Sequence, residues 1–463
     1  MNSKNILIYA IRGTDKWWSS VAENIESYNS FIVSDIKGKG DFNVVDDFYK
    51  ELVKCKDVTL DQSLLLSSDS VSEIIARCRV LRNLEAGQAK NMVNAMAQSL
   101  QSVVDSVNPV AILAFPIDRY VSDVLEHLAR IKGIPFYELT ASPLPDMAML
   151  TKKGVLMSRN EKVSPDEVDK QISKLTKPFF LPSYVKSASN FGFLKWLYVV
   201  IYFKLRQWVF KCISILNSDS LNLHYLDAQS FLSHKVSLKD WKVLSLIDYD
   251  WRKKAKKFSS DKRVFFGLTV FPEASIDYWI SDIELIDYEE IIFDSVKAFS
   301  EAGFLVIVKD HPQQFGFRQK DLIEKLLTLK NVLFVPYSVT GNELLMMCDT
   351  NFSFTGTLGL QAALMGKKSI VVKNYYSARD DFIYLDSRSD ILNLPFLVKR
   401  SSLSKNLLVS QRRIVERLIR GSFSCDFFSF VGFDEKKQNS SLVLMGNVLG
   451  EEITYHQNLE SSQ

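Results

Sequence analysis

Cysteine is scarce in this chain. Its five residues, Cys55, Cys78, Cys212, Cys348 and Cys425, are odd in number and carry no paired spacing. That excludes a disulfide framework and a thiolate zinc site, and makes a reducing cytoplasm the expected home. Long apolar runs are missing too. The basic, aromatic stretch 191–216 is interrupted by Lys195, Lys204, Arg206 and Lys211, so its longest uncharged run, 196–203, falls far short of the ~20 residues of a spanning helix. The opening Met1-Asn2-Ser3-Lys4-Asn5 passes directly into Ile6-Leu7-Ile8-Tyr9-Ala10, too short an apolar core for a signal peptide. Neither sign of charge dominates: 57 basic and 54 acidic residues give a formal charge of +3, which argues against nucleic acid as a partner. No internal repeat of solenoid period is present.

What the chain does have is βαβ grammar. Its 463 residues, 47% hydrophobic and 24% charged, suffice for two ordinary domains. In the first part, strands are expected at 6–10, 31–34, 110–115 and 134–139. A long helix is expected over 71–106, ended by Asn108-Pro109, and another over 121–132, closed by Gly133. Alternation of this kind predicts a parallel sheet. Gly38 and Gly40 with their flanking lysines lack phosphate-loop spacing and read as a turn. The acid-x-acid sequence Asp248-Tyr249-Asp250 stands away from any strand end and reads as linker. A helix is expected over 404–420, and a loose polar tail from about residue 451.

The strongest chemical signal lies in residues 264–372. Phe304-Leu305-Val306-Ile307-Val308 is a continuous apolar, β-branched run of the kind buried on both faces of a parallel sheet. It is followed by Lys309-Asp310-His311-Pro312, which puts His311 in the loop where open α/β sheets bind ligands. Pro312 biases His311 away from helical geometry, so the imidazole projects from a defined turn and is placed to donate to a phosphate oxygen. The same logic recurs at Asn351-Phe352-Ser353-Phe354, a short strand leading to Thr355-Gly356-Thr357-Leu358-Gly359-Leu360-Gln361. Here Ser353, Thr355 and Thr357 supply hydroxyls, Gly356 and Gly359 permit close approach, and a helix start offers free N–H groups to an anion. The bland alternative is that the threonines only cap that helix, since capping draws on the same N–H groups.

Phe271-Pro272-Glu273-Ala274-Ser275, Lys309-Asp310-His311-Pro312 and Thr355-Gly356-Thr357-Leu358-Gly359-Leu360 together resemble the capsule polysaccharide biosynthesis family, which includes Kdo transferases and is similar in site design to bacterial sialyltransferases. The resemblance covers residues 262–376. It implies an α/β fold of the GT-B type, with two Rossmann-like lobes, parallel sheets and an interdomain cleft. The implied segments are an acceptor lobe at 1–185, a helical basic and aromatic interdomain segment at 186–258, a nucleotide-sugar lobe at 259–400, and a C-terminal helix and polar tail at 401–463. It also implies that Glu273, Lys309, His311, Pro312, Ser353, Thr355, Gly356, Thr357 and Gln361 line the donor site. Gln361 stands where the family commonly has Glu, and Phe271 where it often has a polar residue.

The implied function is transfer of a Kdo-like or sialic-type sugar from a CMP-activated donor to a glycan or lipid-linked acceptor, in surface polysaccharide synthesis. No metal or other cofactor is expected, because basic and hydroxyl groups would stabilise the departing phosphate. His311 is one candidate catalytic residue. Asp118, just past the strand 110–115, is the other, as base or nucleophile; its plain alternative is a helix N-cap, and Asp15 and Glu138 hold comparable positions. CDP-polyol phosphotransfer, nucleotide-sugar epimerisation and non-catalytic polysaccharide binding for export are the alternatives. The stretch 191–216 suits either contact with the inner membrane surface or a helix packed between domains.

Overall fold

The computed structural model describes residues 4–11, 13–57, 65–177, 191–216, 237–401, 406–434 and 440–461. Arg12, part of the loop expected after the first strand, lies outside them. The chain forms two compact α/β units, one of residues 1–161 and 418–463 and the other of residues 162–417. Two lobes with parallel strands are the expected fold class. The division places the C-terminal segment with the first unit, and starts the second at residue 162.

Unit 1 is built on β1 (Lys4–Ala10), β2 (Tyr28–Ser34), β3 (Phe42–Asn43), β4 (Ala111–Ala114), β5 (Phe136–Ala141), β6 (Met147–Lys152) and the small β7 (Val155–Leu156). β1, β2, β3, β4 and β5 pair in parallel in the order 3-2-1-4-5, and β6 adds antiparallel to β5. β1 buries Ile6 through Ala10 completely or nearly so, and all four β4 residues are buried, which is why both read as continuous apolar runs. Gly40, with φ +70°, turns the chain between β2 and β3, and a Cβ there would meet the Ile32 carbonyl oxygen at 2.8 Å. The Gly38–Gly40 segment is thus the turn expected.

Two expectations for this unit need correction. The single helix expected over 71–106 is two, Ser68–Arg77 and Ala86–Val107. Cys78 turns extended, and Glu85 caps the second helix by accepting from the Gln88 N–H at 3.0 Å, so a local cap interrupts an apolar period that runs on through it. Asn108, in left-handed geometry, does close the second helix. Nor is the C-terminus a loose tail. Ser440–Ser461 is a helix that buries Ile453 and His456, hydrogen-bonds Tyr28 through Thr454 (2.9 Å), and donates from Gln457 to the Val110 carbonyl (2.9 Å). Its polar residues serve contacts, which composition alone does not reveal. It belongs to unit 1, as does β14 (Ser422–Ser424), which pairs antiparallel with β6.

Unit 2 holds β8 (Arg263–Gly267), β9 (Leu305–Lys309), β10 (Val332–Phe334), β11 (Thr350–Ser353), β12 (Lys368–Val371) and β13 (Ile383–Tyr384). All pair in parallel in the order 10-9-8-11-12-13. Counted within the unit this is 3-2-1-4-5-6, the doubly wound order of dinucleotide-binding sheets. Alternate residues feed separate cores: Val264, Phe266, Val306 and Val308 one, Phe265, Leu305 and Ile307 the other. The stretch 191–216 contributes the helix Phe193–Leu216, whose Trp196 and Val200 are buried in the first of these cores. One face of this helix thus packs on unit 2 itself. The acid-x-acid pair is expected to stand away from any strand end, but the Asp248 N–H donates to the carbonyl of Phe334, the last residue of β10, at 2.8 Å, while Asp250 stands at the start of the short helix Trp251–Ala255.

Candidate functional site

In a doubly wound sheet the strand order reverses at one point, and the crevice outside the strand C-termini there receives ligands. In unit 2 that point lies between β8 and β11. The loop after β8 carries Phe271, Pro272, Glu273 and Ser275, and the loop after β11 carries Thr355, Gly356 and Thr357, so the sheet brings together two of the three motifs. The Ser275 hydroxyl donates to Glu273 Oε2 at 3.2 Å and lies 3.0 Å from Thr355 Oγ1. A serine has one proton to give, so Thr355 is the donor to Ser275, and a relay Thr355 to Ser275 to Glu273 ties the loops across the switch point.

The β11 loop is rigidly held. The Gly356 carbonyl accepts from Ser353 Oγ (3.0 Å) and the Tyr376 hydroxyl (2.7 Å), and from the Gly359 N–H at 3.1 Å. Among the described residues the N–H groups of Gly356 and Thr357 donate to no protein acceptor. The helix itself runs Leu358–Leu364, and Thr357 at its start makes no side-chain cap bond, so the capping alternative does not apply to Thr357. Gly359 answers a packing need, since a Cβ there would lie 2.6 Å from both the Tyr376 hydroxyl and Val371. Gln361 is half-buried in the middle of this helix.

The third motif follows β9, the neighbour of β8. Lys309 is 6% exposed, and its ammonium donates to the Asp310 carbonyl at 3.0 Å. Among the described residues no carboxylate lies in ion-pair range of it. Burial pushes it down to about 8, against a smaller upward pull from Asp310. His311 is half-buried and accepts at Nδ1 from the Gln313 N–H (3.2 Å), which puts the proton of the neutral ring on Nε2. Burial lowers it to about 4, so it stays neutral near pH 7 and acts as a donor without charge. Pro312 opens the short turn Pro312–Gln314 that fixes the ring.

Sequence reasoning missed what holds this loop. Asp310, fully buried, receives Arg318 in a two-pronged pair (3.1 and 2.8 Å on Oδ1), the Tyr337 hydroxyl on Oδ2 (2.6 Å) and the His311 N–H (2.9 Å). Arg318 also donates to the Thr269 carbonyl in the β8 loop (3.1 Å), and the Gln314 side chain to the Phe271 carbonyl (2.8 Å). One arginine thus joins the loops of β8 and β9. Tyr337 follows β10 and was within reach of strand-end reasoning; Arg318, beyond the motif and outside any strand, carried no signal.

Unit 1 has its own switch point, between β1 and β4. Asp118, in the loop after β4, lines a cavity of about 520 Å³ there. It is not the helix cap: that place at Tyr120–Ile131 belongs to Arg119, while Asp118 Oδ1 accepts from Arg79 at 2.7 Å. Arg119 pairs instead with the buried Asp35 (2.9 Å), which also accepts from the Tyr9 hydroxyl (2.8 Å). Glu138 is structural, fully buried and accepting from the Ile117 N–H, the Thr151 hydroxyl and the Gly154 N–H at 3.0–3.1 Å. Asp15 begins the helix Asp15–Ala22, with Lys39 at 3.6 Å.

No family model and no curated protein matches this chain. Solved structures with some likeness include a KpsC β-Kdo 2,7 transferase of Thermosulfurimonas dismutans (11% identity, 96% of this chain and 100% of that chain, TM-score 0.36). Others are UDP-GlcNAc 2-epimerases of Methanocaldococcus jannaschii (13% identity, 90% and 99%, TM-score 0.25) and of Neisseria meningitidis bound to UDP-GlcNAc (10% identity, 99% and 100%, TM-score 0.23). At such TM-scores the likeness carries no weight for this chain, whose chemistry has to be read from its own residues.

Proposed function

We propose that the chain is a nucleotide-sugar-dependent glycosyltransferase of bacterial surface polysaccharide synthesis, using a CMP-linked Kdo or sialic-type donor bound on unit 2. The observation that carries this reading is Lys309: a buried ammonium without a carboxylate partner among the described residues, at the C-terminal edge of a doubly wound sheet, calls for an anion. The unspent N–H groups of Gly356 and Thr357 and the neutral Nε2–H of His311 add donors suited to phosphate. Lys309 and His311 would stabilise the phosphate as the glycosyl bond breaks, and the Glu273, Ser275 and Thr355 relay, with Ser353, Pro312 and Gln361, would shape the nucleotide pocket. The CMP preference comes from the motif resemblance. On unit 1, Asp118 would act on the acceptor hydroxyl, held in position by Arg79.

The reading includes peripheral attachment to an anionic membrane face. The helix Phe193–Leu216 contains no acidic residue, and exposes Leu194, Tyr198, Ile201, Leu205 and Trp208 at alternating four- and three-residue steps, with Lys195 over Tyr198 and Arg206 over Phe203. Aromatic bodies with basic heads suit the headgroup layer. No described helix is long and apolar enough to cross a membrane. The deciding experiment is a thermal-shift comparison of CMP, CDP and UDP: stabilisation by CMP alone supports the donor class, and a response to UDP alone overturns it.

A further inference from the structure

The cavity at the β1–β4 switch point of unit 1 has an unusual wall. Trp17 comes from the helix after β1 and Phe115 from the loop after β4, while Phe427, Phe430 and Phe433 come from the segment after β14. Four of these rings lean on one another at centroid separations of 5.1–6.0 Å: Trp17 stacks on Phe115, Phe427 meets Phe115 edge-on, and Phe430 is tilted against Phe115 and edge-on to Trp17. Ile11 and Pro116 complete the apolar lining. Polar side chains are few. Among the described liners these are Thr14, whose hydroxyl donates to the Ile11 carbonyl at 2.7 Å, Asp118, which pairs with Arg79, and Lys16.

We propose that this cavity binds the hydrocarbon chain of an amphiphilic ligand, an acyl or isoprenoid tail, with the polar head beside Asp118 and Lys16. A volume of about 520 Å³ is that of a ligand pocket, and its place outside the carboxyl ends of β1 and β4 is where this sheet type receives ligands. A sugar ring is a poor occupant. It needs several hydrogen-bond partners, more than the described side chains of this lining supply, and hydroxyls buried without partners are costly. A hydrocarbon chain has no such demands, and burying it displaces water from aromatic and aliphatic surface. The inference names the acceptor class for the proposed transfer and rests on that reading for the acceptor role; the binding itself does not depend on it.

The test uses the full chain and alkyl maltosides below their micelle threshold, with maltose as the tail-less control. Dodecyl maltoside is expected to raise Tm saturably and maltose to leave it unchanged. Affinity should rise about fourfold per methylene from octyl upward until the cavity is full. A dodecyl maltoside brominated along its chain should quench part of the fluorescence of the seven tryptophans, and Trp17→Phe should remove that part. Phe430→Asp should weaken binding at least tenfold while CMP still raises Tm; Phe433→Ala, reading the same loss more mildly, serves if Phe430→Asp does not fold. An equal response to maltose, quenching that survives Trp17→Phe, or unchanged affinity in folded wall variants would overturn the proposal. Chain binding without any CMP response would overturn the transferase reading and leave the cavity assignment standing; CMP binding without chain binding would do the reverse.

Discussion

Ser275 and Thr355, 80 residues apart in sequence, meet hydroxyl to hydroxyl at 3.0 Å across the point where the strand order of unit 2 reverses. The contact fixes the distance between the loop after β8 and the loop after β11, and so the width of the crevice between them. Ser275→Ala and Thr355→Val should each cost about 1 kcal/mol of stability, the usual net value of a hydrogen bond. The double variant should cost less than the sum, because either change alone breaks the bond. CMP affinity should fall in all three. Strict additivity in denaturant unfolding, or undiminished CMP binding, would remove the relay from the site.

Lys309 ties donor binding to pH. Its ammonium, lowered to about 8 by burial, is charged below that pH and neutral above it. An anion held by it binds only as strongly as the charged fraction allows, so CMP affinity should be level from pH 6.5 to 7.5 and fall by up to about tenfold per pH unit above 8. Stability without ligand should move the other way. Between the folded value and the ordinary lysine value the unfolded chain holds the proton that the folded one has lost, so stability rises with pH in that window. Lys309→Met should remove the pH dependence, lower CMP affinity at least tenfold and leave the unliganded protein as stable as before or more so. A Lys309→Met protein that binds CMP normally would refute the anion role.

His311 separates donation from charge. Lowered to about 4, the ring is neutral through the physiological range, so its contribution should not titrate between pH 5.5 and 7.5. His311→Ala should slow transfer at least about tenfold with folding intact, the scale of about 1.4 kcal/mol lost at the transition state. Gln, which also offers an N–H donor, should recover part of that loss. Wild-type turnover in His311→Ala would return the residue to a loop role.

Which parts of this were legible in sequence follows from the range of the forces involved. β9 and β4 were readable because both faces of each strand are buried, so the apolar run is unbroken in the sequence itself. The motif residues were readable because each sits within a few positions of a strand end. Arg318 was not, since its value lies in reaching Asp310 and the Thr269 carbonyl through the fold. Phe427 and Phe430 were missed for the same reason: they are about 310 residues from Phe115, and only the return of the chain to unit 1 joins them. Glu138 shows the opposite error, a strand acid at a suggestive place whose oxygens are consumed by three donors.

The basic helix gives a partition experiment. Replacing Lys195, Lys204, Arg206 and Lys211 by Gln should move the protein from anionic vesicles to the supernatant at low salt, since each basic group near such a surface contributes about 1 kcal/mol. Trp208→Ser should weaken binding at high salt as well, where apolar insertion remains after the charges are screened. Equal partition onto neutral and anionic vesicles, or none onto either, would leave the helix as packing for the unit 2 core through Trp196 and Val200.

Asp118 is where chemistry and structure pull apart most cleanly. With the helix-cap place taken by Arg119, its carboxylate pairs with Arg79, whose guanidinium is almost fully buried. If it is the group that acts on the acceptor hydroxyl, Asp118→Asn should abolish nearly all transfer while CMP affinity stays within twofold, because the donor groups belong to the other unit. The same change weakens the hold on Arg79, so a stability loss of about 1–3 kcal/mol should accompany it, and Arg79→Lys should cost stability while retaining a cation for the carboxylate. The measurements that decide are turnover and CMP binding on the same folded preparation. Loss of both would mean that the ion pair only shapes unit 1, and normal turnover in Asp118→Asn would take the carboxylate out of the mechanism, leaving Asp15, since Glu138 is already committed to its three donors.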